Sequence, residues 1–392
     1  MEEEFRPFFM GNETMTDEVI QEASSSTTTA TPTEVVNEFQ LPVSDYQEEE
    51  QVEFGDKVKE YLENPPLIQK MLNRIDEVDA YSWARGELGG LDWGTEKLNE
   101  AFEGLNTGVH LFAGNSNIGK SSFMLWLGWN IALHNRQIDE KHNYKAFVLM
   151  FTLDDTCNEL MPRLVALDQN ITINSVAKPK KYEHLTKVMD KREQGLQDLR
   201  EATQNYAMID ANEGTSIEHI EKVMDEYHEM LEARYPGEYK LVTVIDNFHD
   251  VSVEERGYTE ENARIDYVAK QLDELSVKYD SPLLCTAEFR KINTFKRPQQ
   301  DDLKGSAKLI YVAKAIILLH NDVSTKQEQA QVYWSVTDGD EEIKMPVYEC
   351  QVSKNKFGSF KGHVYYRFTP DKSHFVEASD DESKKYTTMI TA

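Results

Sequence analysis

The segment 114–121 constrains the fold of this chain more than any other feature. It reads Gly-Asn-Ser-Asn-Ile-Gly-Lys-Ser, which satisfies the full G-x-x-x-x-G-K-[ST] pattern of a phosphate-binding loop. The apolar run 109–113 predicts a strand before the loop, and the stretch 120–135 predicts a helix after it. Such a loop turns its backbone N–H groups and the start of the helix towards phosphate. The pattern therefore predicts a nucleotide-binding α/β domain.

ATP and Mg2+ are the expected cofactors of this loop. The residues expected to contact the nucleotide are Gly114, Asn115, Ser116, Asn117, Ile118, Gly119, Lys120, Ser121 and Ser122. Lys120 would place its charge at the β- and γ-phosphates, and the Ser121 hydroxyl would reach the metal ion. A carboxylate is expected at the end of a neighbouring strand, where Asp246 follows the apolar run 241–245. Ser121 and Asp246 are thus the expected metal residues.

Two further carboxylates follow another predicted strand. The run 145–153 ends at Asp154 and Asp155, again at the edge of the sheet where ligands bind. One of them could act as the general base that polarises an attacking water. Alternatively, one or both only cap the turn or helix that follows.

From about residue 105 the chain alternates between strand-like and helical segments. The strand-like runs are 109–113, 145–153, 206–210, 241–248, 282–288 and 314–320, and the clearest helical stretches are 120–135, 216–234 and 260–279. This alternation is typical of right-handed βαβ units with helices on both faces. After 330, the runs 331–337, 347–353 and 362–368 predict antiparallel strands. The expected fold class is α/β, with a largely parallel twisted sheet and C-terminal antiparallel strands.

Charge and composition divide the chain further. The net charge is −28, and residues 1–60 carry 16 acidic side chains against three basic ones. We expect 1–55 to be an acidic disordered tail, which either binds a partner, mimics DNA or is only solvated. The segment 56–90 is expected to be a helical linker whose apolar face needs a partner surface, in this subunit or a neighbour. The nucleotide-binding domain would span 91–377, and 378–392 would be a polar tail.

Several function classes are disfavoured by composition. No apolar run approaches the roughly 20 residues of a membrane helix, and the acidic start argues against a targeting peptide. Cys157, Cys285 and Cys350 lie far apart without ligand spacing, which indicates buried thiols in a reducing compartment. We therefore expect a cytoplasmic protein without membrane contact.

The order of elements resembles the RecA-like ATPase domain of DnaB-type replicative helicases over about residues 85–377. Leu-Asp-Trp-Gly-Thr-Glu-Lys-Leu-Asn at 91–99 is similar to the stretch that leads into the family's core. Thr-Leu-Asp-Asp at 152–155, followed by Leu160 and Arg163, resembles the Ser-Leu-Glu-Met element. Val-Ile-Asp-Asn-Phe at 244–248 resembles the Walker B strand.

Three later stretches continue the resemblance. Cys-Thr-Ala-Glu-Phe-Arg-Lys at 285–291 resembles the family's Leu-Ser-Gln-Leu-Asn-Arg strand. Asp-Leu-Lys-Gly-Ser-Ala at 302–307 is similar to its Asp-Leu-Arg-x-Ser-Gly stretch, and Ser-Lys-Asn-Lys-Phe-Gly at 353–358 to its Lys-x-Arg-Asn-Gly motif. We expect the helical amino-terminal domain of these helicases, which serves collar formation and primase contact, to be missing, with only the predicted helix at 56–85 remaining.

The resemblance implies catalytic roles for four residues and shows departures at three of them. Asp154 takes the place of the catalytic glutamate but is one methylene shorter. Glu288 replaces the neutral glutamine that senses the γ-phosphate. Lys354 and Lys356 would reach across to the next subunit's ATP, where Lys356 offers a point charge instead of the planar fork of arginine.

Single-stranded DNA is the expected macromolecular partner. The stretch 290–297 is basic in an acidic chain, as backbone contact requires, and Phe295 could stack on a base. The expected DNA-binding residues are Arg290, Lys291, Phe295, Lys296, Arg297 and Lys304. The alternative is an exposed, solvated loop.

Three functions fit this pattern. The first is a hexameric, ATP-driven replicative DNA helicase that meets a loader or a primase, in a bacterial host's cytoplasm if it is phage-encoded. The second is a RecA-type recombination ATPase that forms filaments, which the Lys-Asn-Lys triplet at 354–356 favours. The third is a regulatory assembly ATPase with weak hydrolysis, which the departures at Asp154, Glu288 and Lys356 favour.

Overall fold

The computed structural model describes most of the chain after the acidic segment. The described residues are 59, 66–84, 88–138, 144–254, 258, 260–290, 296–305, 307–338 and 341–391. The predicted tail 1–55, and the parts 56–58, 60–65 and 85–87 of the predicted linker, lie outside these residues. The chain divides into two units between Ile75 and Asp76.

The helices and strands follow the alternation seen in the sequence. The helices are α1 (Pro66–Ala84), α2 (Glu96–Phe102), α3 (Lys120–His134), α4 (Cys157–Gln169), α5 (Ile173–Ala177), α6 (Pro179–Tyr182), α7 (Thr186–Ala202), α8 (Ile217–Arg234), α9 (Glu261–Lys278), α10 (Ala307–Val312), α11 (Asp322–Lys326) and α12 (Asp380–Thr391). The strands are β1 (Gly108–Gly114), β2 (Lys145–Thr152), β3 (Tyr206–Asp210), β4 (Tyr239–Asp246), β5 (Pro282–Ala287), β6 (Ala315–Asn321), β7 (Tyr333–Asp338), β8 (Glu341–Asn355), β9 (His363–Thr369) and β10 (His374–Glu377).

The strands form one mixed sheet in which the predicted parallel part is confirmed. Along the sheet, the strands follow the order β10-β9-β8-β6-β1-β5-β4-β2-β3, and β7 pairs with β8. The pairs from β6 to β3 are parallel, whereas β6–β8, β7–β8, β8–β9 and β9–β10 are antiparallel. The carboxyl ends of β1, β2, β4 and β5 therefore meet at one edge, where an α/β sheet binds its ligands.

Helices cover both faces of the sheet. On β1, Phe112 faces a buried cluster that includes α3, while Leu111 faces a second buried cluster that includes α8 and α9. On β2, Val148 lies in the first of these clusters and Leu149 lies in the second. Because successive side chains of a strand alternate between faces that are both covered, these strands are apolar almost throughout.

The chain end corrects one expectation. Residues 378–392 were expected to form a polar tail, but α12 occupies most of that segment. Tyr386 is buried, with its ring 5.7 Å from that of Tyr365 on β9, and Glu382 pairs with Arg367 at 3.4 Å. This buried aromatic side chain anchors the helix, although its other faces are polar.

Among the described residues, no helix combines the length and the apolar character that crossing a membrane requires. Helix α1 lies within the segment expected to be a helical linker. Its apolar side chains, which include Leu67, Met71 and Ile75, are exposed.

Candidate nucleotide and DNA site

The loop between β1 and α3 adopts a strained backbone that glycine and asparagine tolerate. Gly119 has φ 100° and Asn117 has φ 63°, both in the left-handed region. The loop is also held from outside, because the Ser324 hydroxyl donates to the Asn117 carbonyl at 2.9 Å and the Asn321 amide to the Ile118 carbonyl at 3.4 Å. These contacts fix a concave backbone at the start of a helix, which is a suitable cradle for phosphate.

Lys120 lies within this loop. Its ammonium donates to the carbonyl of Asn115 at 3.0 Å. Burial lowers the pKa of Lys120, while the negative charges of Glu288, Asp246 and Asp154 act in the opposite direction. Three predicted site carboxylates therefore surround the amine that the sequence assigns to the phosphates.

Asp246 ends β4 and is buried beside the loop. The Thr286 hydroxyl at the end of β5 donates to Asp246 Oδ1, and the Ser121 side chain also bonds to this carboxylate. Burial raises the pKa of Asp246, whereas the bonds to Ser121 and Thr286 and the charge of Lys120 oppose the rise. The two predicted metal residues are thus adjacent, and Thr286 is a contact that the sequence did not predict.

The adjacent hydroxyl and carboxylate fit a magnesium ion. Mg2+ prefers hard oxygen ligands and keeps water and phosphate oxygens in the rest of its shell. Within the described ranges, no three His, Cys, Asp or Glu side chains form a metal cluster. Ser121 and Asp246 are the residues here that could hold such an ion.

The two carboxylates after β2 have different surroundings. Asp155 pairs with Arg163 at 3.1 Å, and its backbone carbonyl accepts a bond from the Thr152 hydroxyl. Asp154 is exposed and close enough for its charge to act on Lys120. Neither carboxylate caps α4, because Thr156 and Glu159 form a capping box there. Asp154 is therefore the better placed of the two to act on a water near the phosphates.

Glu288 follows β5 at the same edge. Its Oε1 lies 3.5 Å from the Ser116 hydroxyl of the phosphate loop, and its Oε2 lies 3.9 Å from the ammonium of Lys304. Asp250 is a further carboxylate at this site that the sequence did not predict. Burial raises the pKa of Asp250, and the charges of Asp154 and Glu288 raise it further. The sequence feature that could have identified Asp250 as a site residue is its position in the turn that follows β4.

The predicted DNA-binding residues are only partly available for DNA. Arg297 is a correction, because its guanidinium makes two bonds, of 2.8 and 3.0 Å, to the buried Glu349. Arg290 donates to the carbonyls of Leu303 and Gly305. Lys304 pairs with Glu261 at 3.3 Å as well as with Glu288.

The side chain of Lys296 is exposed, as is that of Arg290, but the Arg290 guanidinium is held by the two backbone carbonyls. Lys291 and Phe295 lie outside the described residues. Lys296 is thus the described cation of this segment that is best placed to meet a nucleic acid backbone.

Lys354 and Lys356 lie at the opposite edge of the sheet from the phosphate loop. The backbone N–H of Lys356 bonds to Lys314 just before β6, whereas Gly114 is level with Leu319, five residues further along. At about 3.3 Å per residue, this is roughly 17 Å, which is beyond the reach of a lysine side chain. Neither lysine can therefore reach the phosphate loop of its own chain.

The loop that carries these lysines is well anchored. Lys354 donates to the carbonyls of Ile310 and Tyr311 at the end of α10, and the ammonium of Lys356 lies 5.7 Å from the Tyr311 ring. Asn355 accepts from the backbone N–H groups of the next turn and donates to the Ala101 carbonyl at 2.8 Å. Lys356 is exposed, at the edge away from this chain's own site.

Comparison with known proteins identifies the family and the fold of the chain. The family model described as DnaB-like helicase C-terminal domain matches residues 90–377. Among curated proteins, none matches the chain at a significant level. Two solved structures share the fold. The first, described as an ATPase domain, has a TM-score of 0.64 at 16% identity, and the match covers 81% of this chain and 100% of that one.

The second structure is that of a DnaB-like replicative helicase, described together with its interactions with primase. It has a TM-score of 0.61 at 17% identity, and the match covers 79% of this chain and 66% of the helicase chain. This chain thus spans slightly less than two-thirds of that helicase. At such identities the structures support the RecA-like fold, while the family model extends over most of the chain. The chain belongs to the DnaB-like helicase family and is an ATP-hydrolysing DNA helicase of the replicative type.

Proposed function

We propose that this helicase works as a ring, most simply a hexamer, that moves along single-stranded DNA with ATP and Mg2+. The observation that carries the proposal is the separation of Lys354 and Lys356 from Lys120 across the sheet. One chain supplies only half of a site, so the other half must come from a second copy. A contact between two different edges repeats head to tail and closes into a ring if its rotation allows.

Each half-site has a distinct task in this proposal. When bound, Mg2+ neutralises charge on the β- and γ-phosphates. The loop 114–122 orients the phosphates, and the positive charge of Lys120 stabilises their negative charge. Asp154 accepts a proton from the attacking water, and the neighbour's Lys356 stabilises the charge that develops on the transferred group. Glu288 and Lys304 lie between the phosphate loop and the segment that carries Lys296. A change at the γ-phosphate can therefore be transmitted through these two residues to that segment.

The exposed apolar side chains of α1 support an assembly of several chains. Leu67 is 81% exposed and Met71 is 61% exposed, and both belong to the same stripe as Ile75. A solvated helix rarely carries such a stripe, so we propose that it packs on a neighbouring subunit. Contact with a primase is proposed by analogy with the helicase whose structure describes primase interactions.

Complementation between two inactive variants tests the shared site. Lys120→Ala removes the half-site of the loop, and Lys356→Ala removes the half-site of the neighbour. Each should be inactive alone, while an equal mixture should regain up to about a quarter of wild-type turnover, because one in four head-to-tail pairings unites both intact halves. ATP hydrolysis with single-stranded DNA is the measurement.

The matched control joins Lys120→Ala with Asp154→Asn, which both damage the same half-site. That mixture should regain nothing. If the Lys120→Ala and Lys356→Ala mixture also stays inactive, although both variants still assemble, the shared site is refuted.

Electron microscopy with ATP and single-stranded DNA separates the proposed ring from a RecA-type filament. Closed rings that unwind a forked duplex support the proposal. Continuous filaments, or hydrolysis that DNA never stimulates, would favour the recombination or assembly alternatives. Replacing Lys296 with Ala should weaken DNA binding and reduce its salt dependence, whereas replacing the exposed Lys222 of α8 should do neither.

A further inference from the structure

The two ends of the segment that carries Lys296 are joined at their base. Phe289 and Leu303 form an antiparallel bridge. The backbone N–H of Arg290 bonds to the Asp302 carbonyl at 2.8 Å, and that of Lys304 to the Glu288 carbonyl at 2.9 Å. We call residues 288–290 and 302–304 the loop base. Because its two segments are bonded to each other, the loop base can move as one body.

The imidazole of His249 lies across this loop base. Its Nε2 is 3.0 Å from the carbonyl oxygen of Lys304, and the backbone N–H of Glu288 donates to its Nδ1 at 3.4 Å. A carbonyl can only accept, so Nε2 carries the proton, and Nδ1 of the neutral ring accepts. His249 as a residue is 6% exposed, and burial lowers the pKa of its imidazole, which favours this neutral form.

The backbone of His249 belongs to the nucleotide side of the site. It lies in the short turn Phe248–Asp250, three residues after Asp246. Its N–H donates to the Asn247 side chain at 2.8 Å, and its carbonyl accepts from Arg264 of α9 at 3.0 Å. The side chain therefore links a turn fixed to Asp246 with a loop base that leads to Lys296.

We infer that His249 is the positioning residue that couples the nucleotide state at Asp246 to the DNA-binding segment. A displacement of the β4 end on nucleotide binding or hydrolysis moves the imidazole, and the imidazole moves both segments of the loop base at once. The imidazole donates one hydrogen bond to Lys304 and accepts the other from Glu288. These two bonds make both segments of the loop base move together with the turn that carries His249. The inference rests on the proposed function, because it requires that the segment with Lys296 binds DNA.

Coupling between two sites is reciprocal, which gives the test two independent readings. In the wild type, single-stranded DNA should raise ATP turnover, and ATP should change the affinity for DNA. His249→Leu removes both bonds but keeps a buried apolar side chain. We expect it to bind ATP and to hydrolyse it without DNA within about twofold of wild type, while the stimulation by DNA falls about tenfold, as the loss of two bonds allows.

A second variant keeps the test decisive if His249→Leu folds poorly. His249→Gln offers a donor and an acceptor on a flexible amide, so it should fold and recover part of the stimulation by DNA. His228→Leu is the matched control, because His228 is bonded to Tyr239 at the opposite end of β4. It should keep the full stimulation.

The outcomes distinguish this inference from the proposed function. If wild-type turnover does not respond to DNA at all, the proposed function fails. If wild type responds and both His249 variants respond equally well, the inference fails and the proposed function stands. Equal loss of basal and stimulated turnover in both variants would also overturn the inference, since His249 would then serve the site and not the coupling.

Discussion

Acidification should destabilise the protein through His110, which is buried on β1 just before the phosphate loop. Its Nε2 donates to the Asn106 carbonyl at 2.8 Å, while its ring lies 5.1 Å from Phe357 and 5.5 Å from Trp93. Burial lowers the pKa of His110 to about 4 from its ordinary value of 6.5. Between about pH 6.5 and pH 4, the unfolded chain therefore binds a proton at His110 that the folded protein does not bind.

The sign and size of the effect follow from that difference. Above pH 6.5 neither state is protonated at His110, so its contribution to stability is fully present. As the pH falls from about 6.5 to about 4, the unfolded state gains a proton that the folded state lacks, and stability is lost. The full loss is about 3 kcal/mol, of which about 2 kcal/mol is reached by pH 5.

Urea unfolding of the wild type and of His110→Gln at pH 7.5 and pH 5 measures this effect. Glutamine keeps a donor for the Asn106 carbonyl but cannot titrate. Acidic groups and the other histidines contribute equally to both proteins and cancel in the difference, and the exposed His184→Gln controls for the substitution itself. The wild type should lose about 2 kcal/mol more than the variant. Equal losses would refute the assignment.

Three further outcomes are expected. Asp154→Asn should lower kcat by at least about a hundredfold with little change in the KM for ATP, and Asp154→Glu should restore turnover if the shorter side chain limits the wild type. Arg297→Ala should cost about 3 kcal/mol in urea unfolding, because it leaves Glu349 buried without its partner, whereas Lys296→Ala should cost almost nothing. Asn355→Ala should loosen the turn that carries Lys356 and so reduce DNA-stimulated turnover without weakening ATP binding, which nucleotide titration can check.

The sequence was most informative where neighbours in the chain are neighbours in space. The phosphate loop, the strand before it and Asp246 at the end of β4 could be predicted because strand periodicity and loop pattern are local. The parallel sheet followed from the alternation of elements. Strand β8 was predicted as 347–353 but begins at Glu341, since its first part pairs only with β7 and is largely exposed.

Contacts between distant segments were the main source of error. Arg297 was expected to bind DNA because its stretch is basic, but its partner Glu349 is on β8, 52 residues away. Likewise, His249 contacts Lys304 across 55 residues. The C-terminal segment was expected to be a polar tail, but it forms a helix that packs on β9 through the buried Tyr386. A buried ion pair or a ring across a loop base leaves no periodic signal in the chain.

In the proposed ring, two tethers connect the segment that carries Lys296 to both half-sites. At one end, His249 joins the loop base to the turn after Asp246. At the other end, Arg297 is fixed by Glu349 to β8, and the same strand ends at Asn355, beside Lys356. A change at the nucleotide can therefore reach Lys296 through His249, and a change at the neighbour's site can reach it through β8. Because both proposed half-sites are attached to one segment, we expect the position of DNA in the proposed ring to depend on two nucleotides at once.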